Sequence, residues 1–335
     1  MSGDLRRFSS LAEARVPLEQ KIPLDAPLVM FVELTNRCNF SCRFCPESFS
    51  DYAEQAGGIH QLSVENFTKV CRDIQELGKL KALRFHMLGD ALLHKDAAEM
   101  IRIASEMGLA DRIELTTNAT ALVGSRADAL LASGLDYLRV SVYAMTAERH
   151  LEITGSRVAP GQVVANVRAF RDKRDALGKT KPYIYAKMID GKDEEEASAF
   201  KTVWGEIADE CCLEHSQNWN GFEERDLEAE VFSSGSAGNR PVREKREVCP
   251  FPFYTLVVHS DGQVSACCVD WNKKTTVGNV FESSLASIWR GQRMKDFRKM
   301  HIERRRCENE SCRNCDYPAT SRDNIDSIVD SSILD

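Results

Sequence analysis

From residue 28 onward, the chain alternates short apolar segments with longer amphipathic segments. The apolar segments are rich in β-branched and aromatic residues, which is typical of buried strands. Six strands are predicted in this way: LVMFVEL (28–34), ALRFHML (82–88), RIELTTN (112–118), YLRVSVY (137–143), YIYAKMI (183–189) and CLEHSQ (212–217). Strands this apolar are buried on both faces, so they predict a parallel sheet that is covered by helices.

The segments between the strands carry apolar residues at helical spacing. Three of them are HKDAAEMIRIASEMG (94–108), SRADALLASG (125–134) and QVVANVRAFRDKRDALG (162–178). The first ends at Gly108, and glycine is a common residue just past the end of a helix. Six strand–helix units predict an α/β fold of the partial (β/α)6, TIM-like barrel type rather than a closed eight-unit barrel.

Polar residues follow several of the predicted strands. Cys38, Asp90, Asn118 and Arg157 all fall at or just after a strand's carboxyl end. Because active sites of parallel α/β folds lie at that edge of the sheet, these residues mark the expected position of the site.

The alternation stops at SSGSAGNRPVREKRE, a small-polar and then charged stretch that predicts a linker. Beyond it, FYTLVVHSDGQVSACC carries a DG turn between two β-rich runs and predicts a hairpin. The amphipathic segment SLASIWRGQRMKDFRKMHIE (284–303) and a second group of cysteines follow. We therefore predict five parts: an N-terminal extension (1–27), a barrel (28–232), a linker (233–247), a small cysteine-rich domain (248–320) and a tail (321–335).

Charge and cysteine content narrow the class of protein. The formal net charge of −7 argues against a broad nucleic-acid-binding surface. There is no apolar run long enough to span a membrane and no secretory signal, so we expect a cytoplasmic protein with no membrane partner. In a reducing compartment, twelve cysteines predict metal ligands or reactive groups rather than disulfides.

Three of the cysteines, Cys38, Cys42 and Cys45, lie in CNFSCRFC directly after the first strand. Three thiolates on one loop are typical of zinc or iron–sulfur ligation, but they leave a four-ligand site one ligand short. A zinc knuckle completed by His60 or His86 is one interpretation. The other is a [4Fe–4S] cluster whose fourth iron is open to a cofactor.

On these residues the chain resembles the radical S-adenosylmethionine (SAM) enzymes, over roughly residues 28–220. The resemblance implies a cluster on the three cysteines that binds SAM and cleaves it reductively to a 5′-deoxyadenosyl radical, which abstracts a hydrogen atom from the substrate. The segment HMLGD (86–90) is similar to the family's Gly-Gly-Glu-Pro segment, with Leu88 and Ala91 departing from it. By the same resemblance the residues expected to contact SAM are Phe44, Gly89, Asp90, Asn118, Ser141 and Arg157.

The second group of cysteines lies in the C-terminal part of the chain. Its spacing alone is compatible with a zinc ribbon. Beside the first motif it resembles the SPASM extension of radical SAM enzymes, although the chain has too few cysteines for the two auxiliary clusters of the full form. The resemblance implies one auxiliary [4Fe–4S] cluster on Cys249, Cys267, Cys312 and Cys315, with Cys307 and Cys268 as possible alternative ligands, and hence two clusters in all.

Two outcomes of the hydrogen abstraction remain open. In a dehydrogenation, a base removes a proton and the auxiliary cluster accepts an electron; Lys187, His215 and Asp190 are the candidate bases. In an epimerisation, a cysteine thiol returns a hydrogen atom; Cys268, Cys211 and Cys212 are the candidate donors.

The expected substrate is a small polar molecule of the sugar, aminocyclitol or aminoglycoside type, as in natural-product biosynthesis, because only about 27 residues precede the first strand. The alternatives are a peptide-modifying radical enzyme and, more distantly, a non-catalytic metal-binding protein. We expect flavodoxin or ferredoxin as the electron donor.

Overall fold

The computed structural model describes residues 16–191, 193–214 and 245–335, and the backbone of three two-residue segments at 5–6, 236–237 and 240–241. The candidate base His215 and most of the predicted linker lie outside the described residues. None of the helices in the described part of the chain has both the length and the apolar character that a membrane crossing requires.

The strands confirm the predicted α/β fold. They are β1 (Leu5–Arg6), β2 (Val29–Val32), β3 (Ala82–Phe85), β4 (Ile113–Thr117), β5 (Tyr137–Val142), β6 (Tyr183–Ile189), β7 (Glu210–Glu214), β8 (Ser236–Ala237), β9 (Arg240–Pro241), β10 (Thr255–Val258), β11 (Gln263–Ser265) and β12 (Thr276–Asn279). Strands β2 to β7 pair in chain order, and every pair is parallel. These are the six strands of the partial barrel.

Helices connect the parallel strands, as βαβ units require. Across the described residues they are α1 (Tyr52–Gln55), α2 (Val64–Leu77), α3 (Ala97–Glu106), α4 (Gly124–Ala132), α5 (Ala147–Thr154), α6 (Pro160–Ala176), α7 (Glu194–Trp204), α8 (Leu285–Arg290) and α9 (Gln292–Ile302). Helix α2 shows why they form where they do. Its N-cap Ser63 accepts a hydrogen bond from the backbone N–H of Asn66, and its buried face includes Cys71, which is fully buried in the core.

The C-terminal hairpin extends the barrel sheet instead of forming a separate one. Strand β10 pairs in parallel with β2, and β11 and β12 follow it antiparallel, so that the described strands form a ten-stranded sheet in the order β1-β7-β6-β5-β4-β3-β2-β10-β11-β12. The single amphipathic segment predicted at 284–303 is two helices, α8 and α9. They meet at Gly291, where a side chain would press against the backbone of Ser287.

Both ends of the chain pack on the C-terminal part. Leu18, Ile325 and Leu334 are buried in one apolar cluster with Val248 and Ile302. The residues predicted as a tail therefore add a small core of their own, which their short apolar pattern did not indicate.

Candidate active site

The first cysteine loop follows β2 and is fixed by the end of α5. The backbone N–H groups of Ser41 and Arg43 donate to the carbonyl oxygens of Thr154 and Ile153, both at 2.8 Å. Cys42 is buried, whereas Cys38 and Cys45 are partly exposed. All three cysteines line the cavity described below, together with residues at the carboxyl ends of the strands.

Aromatic rings support this loop. The ring of Phe44 stacks on Tyr143 with 6.0 Å between centroids, and Phe40 meets Tyr143 and His150 edge-on at 5.5 and 5.3 Å. Phe44 itself remains partly exposed on the cavity described below. A half-exposed aromatic face at this position is suited to stacking on a planar ligand.

The segment after β3 passes very close to the first loop. At Gly89, where φ is +72°, an added Cβ would lie 2.2 Å from the carbonyl oxygen of Thr35, so only glycine fits. Its N–H donates to Oε1 of Glu47 at 2.9 Å. The close approach explains why position 89 requires glycine.

Asp90 is a buried brace between β3 and β4. Its carboxylate accepts hydrogen bonds from the N–H of Leu92 at 2.9 Å, from Oγ1 of Thr117 at 2.9 Å and from the N–H of Asn118 at 2.7 Å. Burial raises its pKa, and these donors act against that shift. The described contacts of Asp90 hold the loop in place.

Of the other residues expected to bind SAM, Asn118 and Ser141 line the same cavity. The amide nitrogen of Asn118 donates to Oδ1 of Asn39 at 2.8 Å and lies 3.8 Å from Sγ of Cys38. Arg157 is exposed and is not among the residues that line the cavity. Its role toward SAM stays a prediction.

Phe44, Gly89, Asp90, Asn118 and Ser141 line one cavity of about 300 Å³, and Arg157 does not. Its wall includes the three cysteines of the first loop, the 87–90 segment and the strand ends of β4 to β7. The C-terminal part closes it through Phe251, Tyr254, Cys268, Tyr317 and Thr320. Such a volume is at the small end of ligand sites in proteins.

The floor of the cavity is charged, which the sequence analysis missed. Arg84 lies 3.1 Å from Glu114, and Glu214 accepts from Nη2 of Arg139 at 2.9 Å and from Nζ of Lys187 at 3.3 Å. Glu214 also accepts from the hydroxyl of Tyr185 at 2.9 Å. The signal was present, since charged residues recur at alternate positions of otherwise apolar strands, and alternate positions share one face.

The second cysteine group surrounds a much smaller space, of about 20 Å³, next to the first cavity. Its wall includes Cys249, Cys267, Cys312 and Cys315, the four predicted ligands. Nε2 of His301 lies 3.9 Å from Sγ of Cys312. Buried Asp270 ties the site together, because it accepts from the N–H groups of residues 274 and 275 and from Oγ of Ser311 at 2.9 Å.

The two spare cysteines lie in different places. Cys268 faces the first cavity, where its Sγ is 3.8 Å from the hydroxyl of Tyr317. Cys307 is exposed on a short 3-10 turn and is not part of the wall of the second site. The other candidate hydrogen donors, Cys211 and Cys212, are fully buried and do not line the cavity.

Burial raises the pKa of the seven predicted ligand thiols, to about 12 for Cys42 and about 11 for Cys315. At Cys38 the acids Glu47 and Asp90 add to this shift. Such thiols become thiolates only when a strongly positive group joins them, and iron supplies that charge. Both donor sets therefore fit an iron–sulfur cluster, held by three thiols in one case and four in the other.

The thiols of each group are not gathered around a single point. Within the described ranges, no three Cys, His, Asp or Glu side chains converge closely enough to hold a single metal ion. His60 instead contacts the carbonyl oxygen of Gly57 through Nε2 at 2.8 Å. His86 lies on the cavity wall.

Among the candidate bases, Lys187 lines the cavity and Asp190 does not. Burial lowers the pKa of Lys187; Glu214 acts to raise it and Arg139 to lower it further. A lysine held in this way gives up its proton at a lower pH than an exposed one, as a base requires.

Comparison with known families agrees with this geometry. Residues 32–181 match the radical SAM superfamily, and residues 249–316 match the SPASM iron–sulfur cluster-binding domain. The chain belongs to the radical SAM superfamily and carries a C-terminal SPASM domain. It is a radical SAM enzyme, and the two domains imply iron–sulfur clusters and SAM as cofactors.

Individual relatives span different reactions. The S-adenosyl-L-methionine-dependent 2-deoxy-scyllo-inosamine dehydrogenase of Niallia circulans is 25% identical over 287 residues, which are 85% of this chain and 90% of that protein. The PqqA peptide cyclase of Ruegeria pomeroyi is 30% identical over 127 residues, but these are only 38% of this chain and 32% of that protein. The crystal structure of BtrN in complex with AdoMet and 2-DOIA superposes with a TM-score of 0.59 at 19% identity, over 91% of this chain and 97% of that one.

Proposed function

We propose that this radical SAM enzyme oxidises a small polar alcohol of the sugar or cyclitol type by dehydrogenation. One observation carries the proposal: both cysteine sites border the same small cavity. Tyr317 lines both the cavity and the second cysteine site, and Cys268 on the cavity wall follows the ligand Cys267. One layer of residues thus separates the space for substrate from the expected electron acceptor.

The size of the cavity supports a small substrate. About 300 Å³ has to receive the cofactor's reactive end as well as the substrate. The relative named as an inosamine dehydrogenase aligns along most of this chain, whereas the relative named as a peptide cyclase aligns along about a third of it.

The roles of the residues follow from their positions. Cys38, Cys42 and Cys45 hold one cluster with SAM, and Cys249, Cys267, Cys312 and Cys315 hold the other. These groups supply radical generation and an electron acceptor when bound. Gly89 and Phe44 shape the SAM side of the cavity. Asp90 fixes the segment after β3 against the end of β4, and Tyr143 packs against the first cysteine loop. The substrate alcohol loses a hydrogen atom, a proton and an electron in all, which is a two-electron oxidation.

Lys187 is the residue that we propose takes the proton. It must be neutral to do so, so the rate of product formation should rise with pH through its pKa, which lies below the usual value of a lysine. Lys187→Met should abolish the oxidised product at every pH while 5′-deoxyadenosine still forms. Product formation that stays at the wild-type rate and pH profile in Lys187→Met would remove Lys187 from this role.

The test of the function is isotopic. Reconstituted enzyme is reduced with dithionite and given SAM and a panel of sugars and cyclitols that carry deuterium at the carbinol carbons. We expect deuterium in 5′-deoxyadenosine and a ketone product three mass units lighter than the deuterated alcohol, because one deuterium and one hydroxyl proton are lost. Deuterium transfer without any ketone would reject dehydrogenation.

A second function is favoured by the position of Cys268. Its thiol faces the cavity, as a hydrogen donor to a substrate radical would have to. In that case the product is an epimer, and one solvent deuterium enters it in D₂O. Cys268→Ser should then abolish the epimer, whereas a dehydrogenase should keep forming ketone in the same variant.

A further inference from the structure

The charged floor of the cavity holds more positive charge than its carboxylates neutralise. Four basic side chains, from Arg84, Arg112, Arg139 and Lys187, surround two acids, Glu114 and Glu214. Arg112 lies outside the cavity wall and contacts Glu114 through Nε at 2.7 Å and Nη2 at 2.5 Å. Glu114 is therefore already paired with a cation that does not line the cavity.

Arg84 is left with unused hydrogen-bonding capacity toward the cavity. Its Nε is 3.1 Å from Glu114, but the alignment is not that of a hydrogen bond, and no acceptor among the described residues takes one from its guanidinium group. The guanidinium stacks on the ring of Phe31, 5.4 Å from its centroid, which fixes its orientation. An arginine held in this way presents a planar fork of donors.

Arg139 repeats this arrangement on β5. Its Nη2 donates to Glu214 and its guanidinium lies 5.3 Å from the centroid of the Tyr185 ring, while Nε has no hydrogen-bond partner among the described residues. Both arginines line the cavity, and both are about one-fifth exposed, into that space.

His86 lines the same cavity and adds no charge. Its pKa is far below the usual value because of burial, and because Lys187, Arg139 and Arg84 repel its protonated form. The imidazole makes no hydrogen bond within the described part of the chain. The floor therefore offers several donors to a bound group, and its two acids, Glu114 and Glu214, already pair with basic side chains. The other acids on the cavity wall, Glu47 and Asp90, accept hydrogen bonds from the backbone beside the first cysteine loop.

We propose that Arg84 and Arg139 bind a carboxylate or phosphate group of the substrate, so that the substrate is an acidic small molecule of the sugar type. The inference rests on the proposed function and narrows it, because it favours sugar acids and sugar phosphates over aminocyclitols. Arginine forks match both anions in geometry, and partial burial strengthens the contact.

The carboxylate of SAM is the other anion that enters this cavity. Arg84 lies within β3, which ends at Phe85, whereas the 88–90 segment follows the strand end and lies against the first cysteine loop. Arg139 is likewise about 7 Å below Ser141 on β5. The arginines thus lie deeper than the residues expected to contact SAM.

The test is a binding measurement that needs no turnover. Unreduced, reconstituted enzyme saturated with SAM is titrated calorimetrically with D-glucuronate, glucose 6-phosphate, D-glucose and D-glucosamine. We expect at least one of the two anions to bind at least about tenfold more tightly than glucose or glucosamine. The glucuronate and phosphate arms show which anion the site prefers.

Three variants test the assignment. Arg84→Gln should reduce the affinity for the preferred anion to that for glucose, and Arg84→Lys should restore part of it. Arg112→Gln is the matched control, since it removes a cation from the same carboxylate but outside the cavity, and it should leave the preference unchanged. Folding is checked by the melting temperature, and because Arg112 still pairs with Glu114, Arg84→Gln should fold.

Two results of the titrations would overturn the subsite: glucosamine that binds as tightly as the better anion, or no binding of any probe at millimolar concentration. Two results of the variants would also overturn it: equal losses of anion affinity in Arg84→Gln and Arg112→Gln, or a loss of SAM affinity in Arg84→Gln. Formation of 5′-deoxyadenosine is measured separately. Anion preference without cleavage would leave the subsite standing and reject the proposed function, and cleavage without anion preference would do the reverse.

Discussion

The two cysteine sites differ in what surrounds them. The first puts three thiols on the wall of a cavity of about 300 Å³, lined by polar strand ends and by residues of the C-terminal part. The second encloses four thiols around about 20 Å³, beside Pro252, Val269 and Phe297. A three-ligand site with free space is suited to binding a cofactor, whereas a four-ligand site without space is suited to electron transfer or structure.

One buried aspartate stabilises each site through hydrogen bonds. The two aspartates differ in how far apart along the chain the segments are that they connect. Asp90 connects neighbouring strand ends of the barrel, where the sheet already fixes the backbone. Asp270 connects the hairpin to the segment that carries Cys312, which lies about 40 residues further along the chain and belongs to no strand. The second site should therefore depend more strongly on its brace.

The largest effect is expected from Cys42→Ala. Loss of one of three ligands should abolish formation of 5′-deoxyadenosine, because the cofactor-binding cluster cannot be held by two thiols. Cys71→Ala is the matched control, since Cys71 is buried in the core away from both sites and should affect only stability. If Cys42→Ala cleaved SAM at the wild-type rate, the first cysteine site would not be the one that binds the cofactor.

Cys312→Ala should have an intermediate effect. It should lower the iron content of reconstituted protein by about half, with 5′-deoxyadenosine still formed and the ketone lost. The control is Cys307→Ala, which removes an exposed thiol outside the site and should change neither quantity. Unchanged iron in Cys312→Ala would show that the second site holds no cluster.

The smallest effects are expected from replacing Asp270 or Asp90, and they test whether each aspartate stabilises only its own site. Asp270→Ala should destabilise the protein by about 2–4 kcal/mol and lower auxiliary iron, because it leaves several buried donors without an acceptor. Asp90→Ala should cost a similar free energy of unfolding but leave auxiliary iron unchanged. The measurements are thermal melts and iron analysis. Equal iron loss in both variants would contradict the claim that Asp270, and not Asp90, supports the second cysteine site.

Much of the barrel followed from periodicity. All six predicted strands are present, although the last three residues of the final one lie outside the described part of the chain. Strands such as β6 are recognisable because burial on both faces requires apolar residues along their length. Motif spacing likewise predicted two groups of cysteines, and the seven predicted ligands line two separate spaces.

The charged floor and the closure of the cavity were not predicted. Arg84, Arg139 and Glu214 lie on different strands, and only the pairing of those strands places them together. Tyr317 reaches the cavity from a short 3-10 helix more than 170 residues beyond β5, and no local pattern encodes that contact. Local propensity predicts elements, whereas such sites depend on tertiary packing.

The open and closed character of the two sites is tested most directly by electron paramagnetic resonance. Two variants are reconstituted and reduced with dithionite: one lacks the first set of cysteines (C38A/C42A/C45A) and the other lacks two of the second (C312A/C315A). We predict that addition of SAM changes the spectrum of C312A/C315A and leaves that of C38A/C42A/C45A unchanged. A SAM-dependent change confined to C38A/C42A/C45A would contradict the account, because it would make the four-thiol site the one that is open.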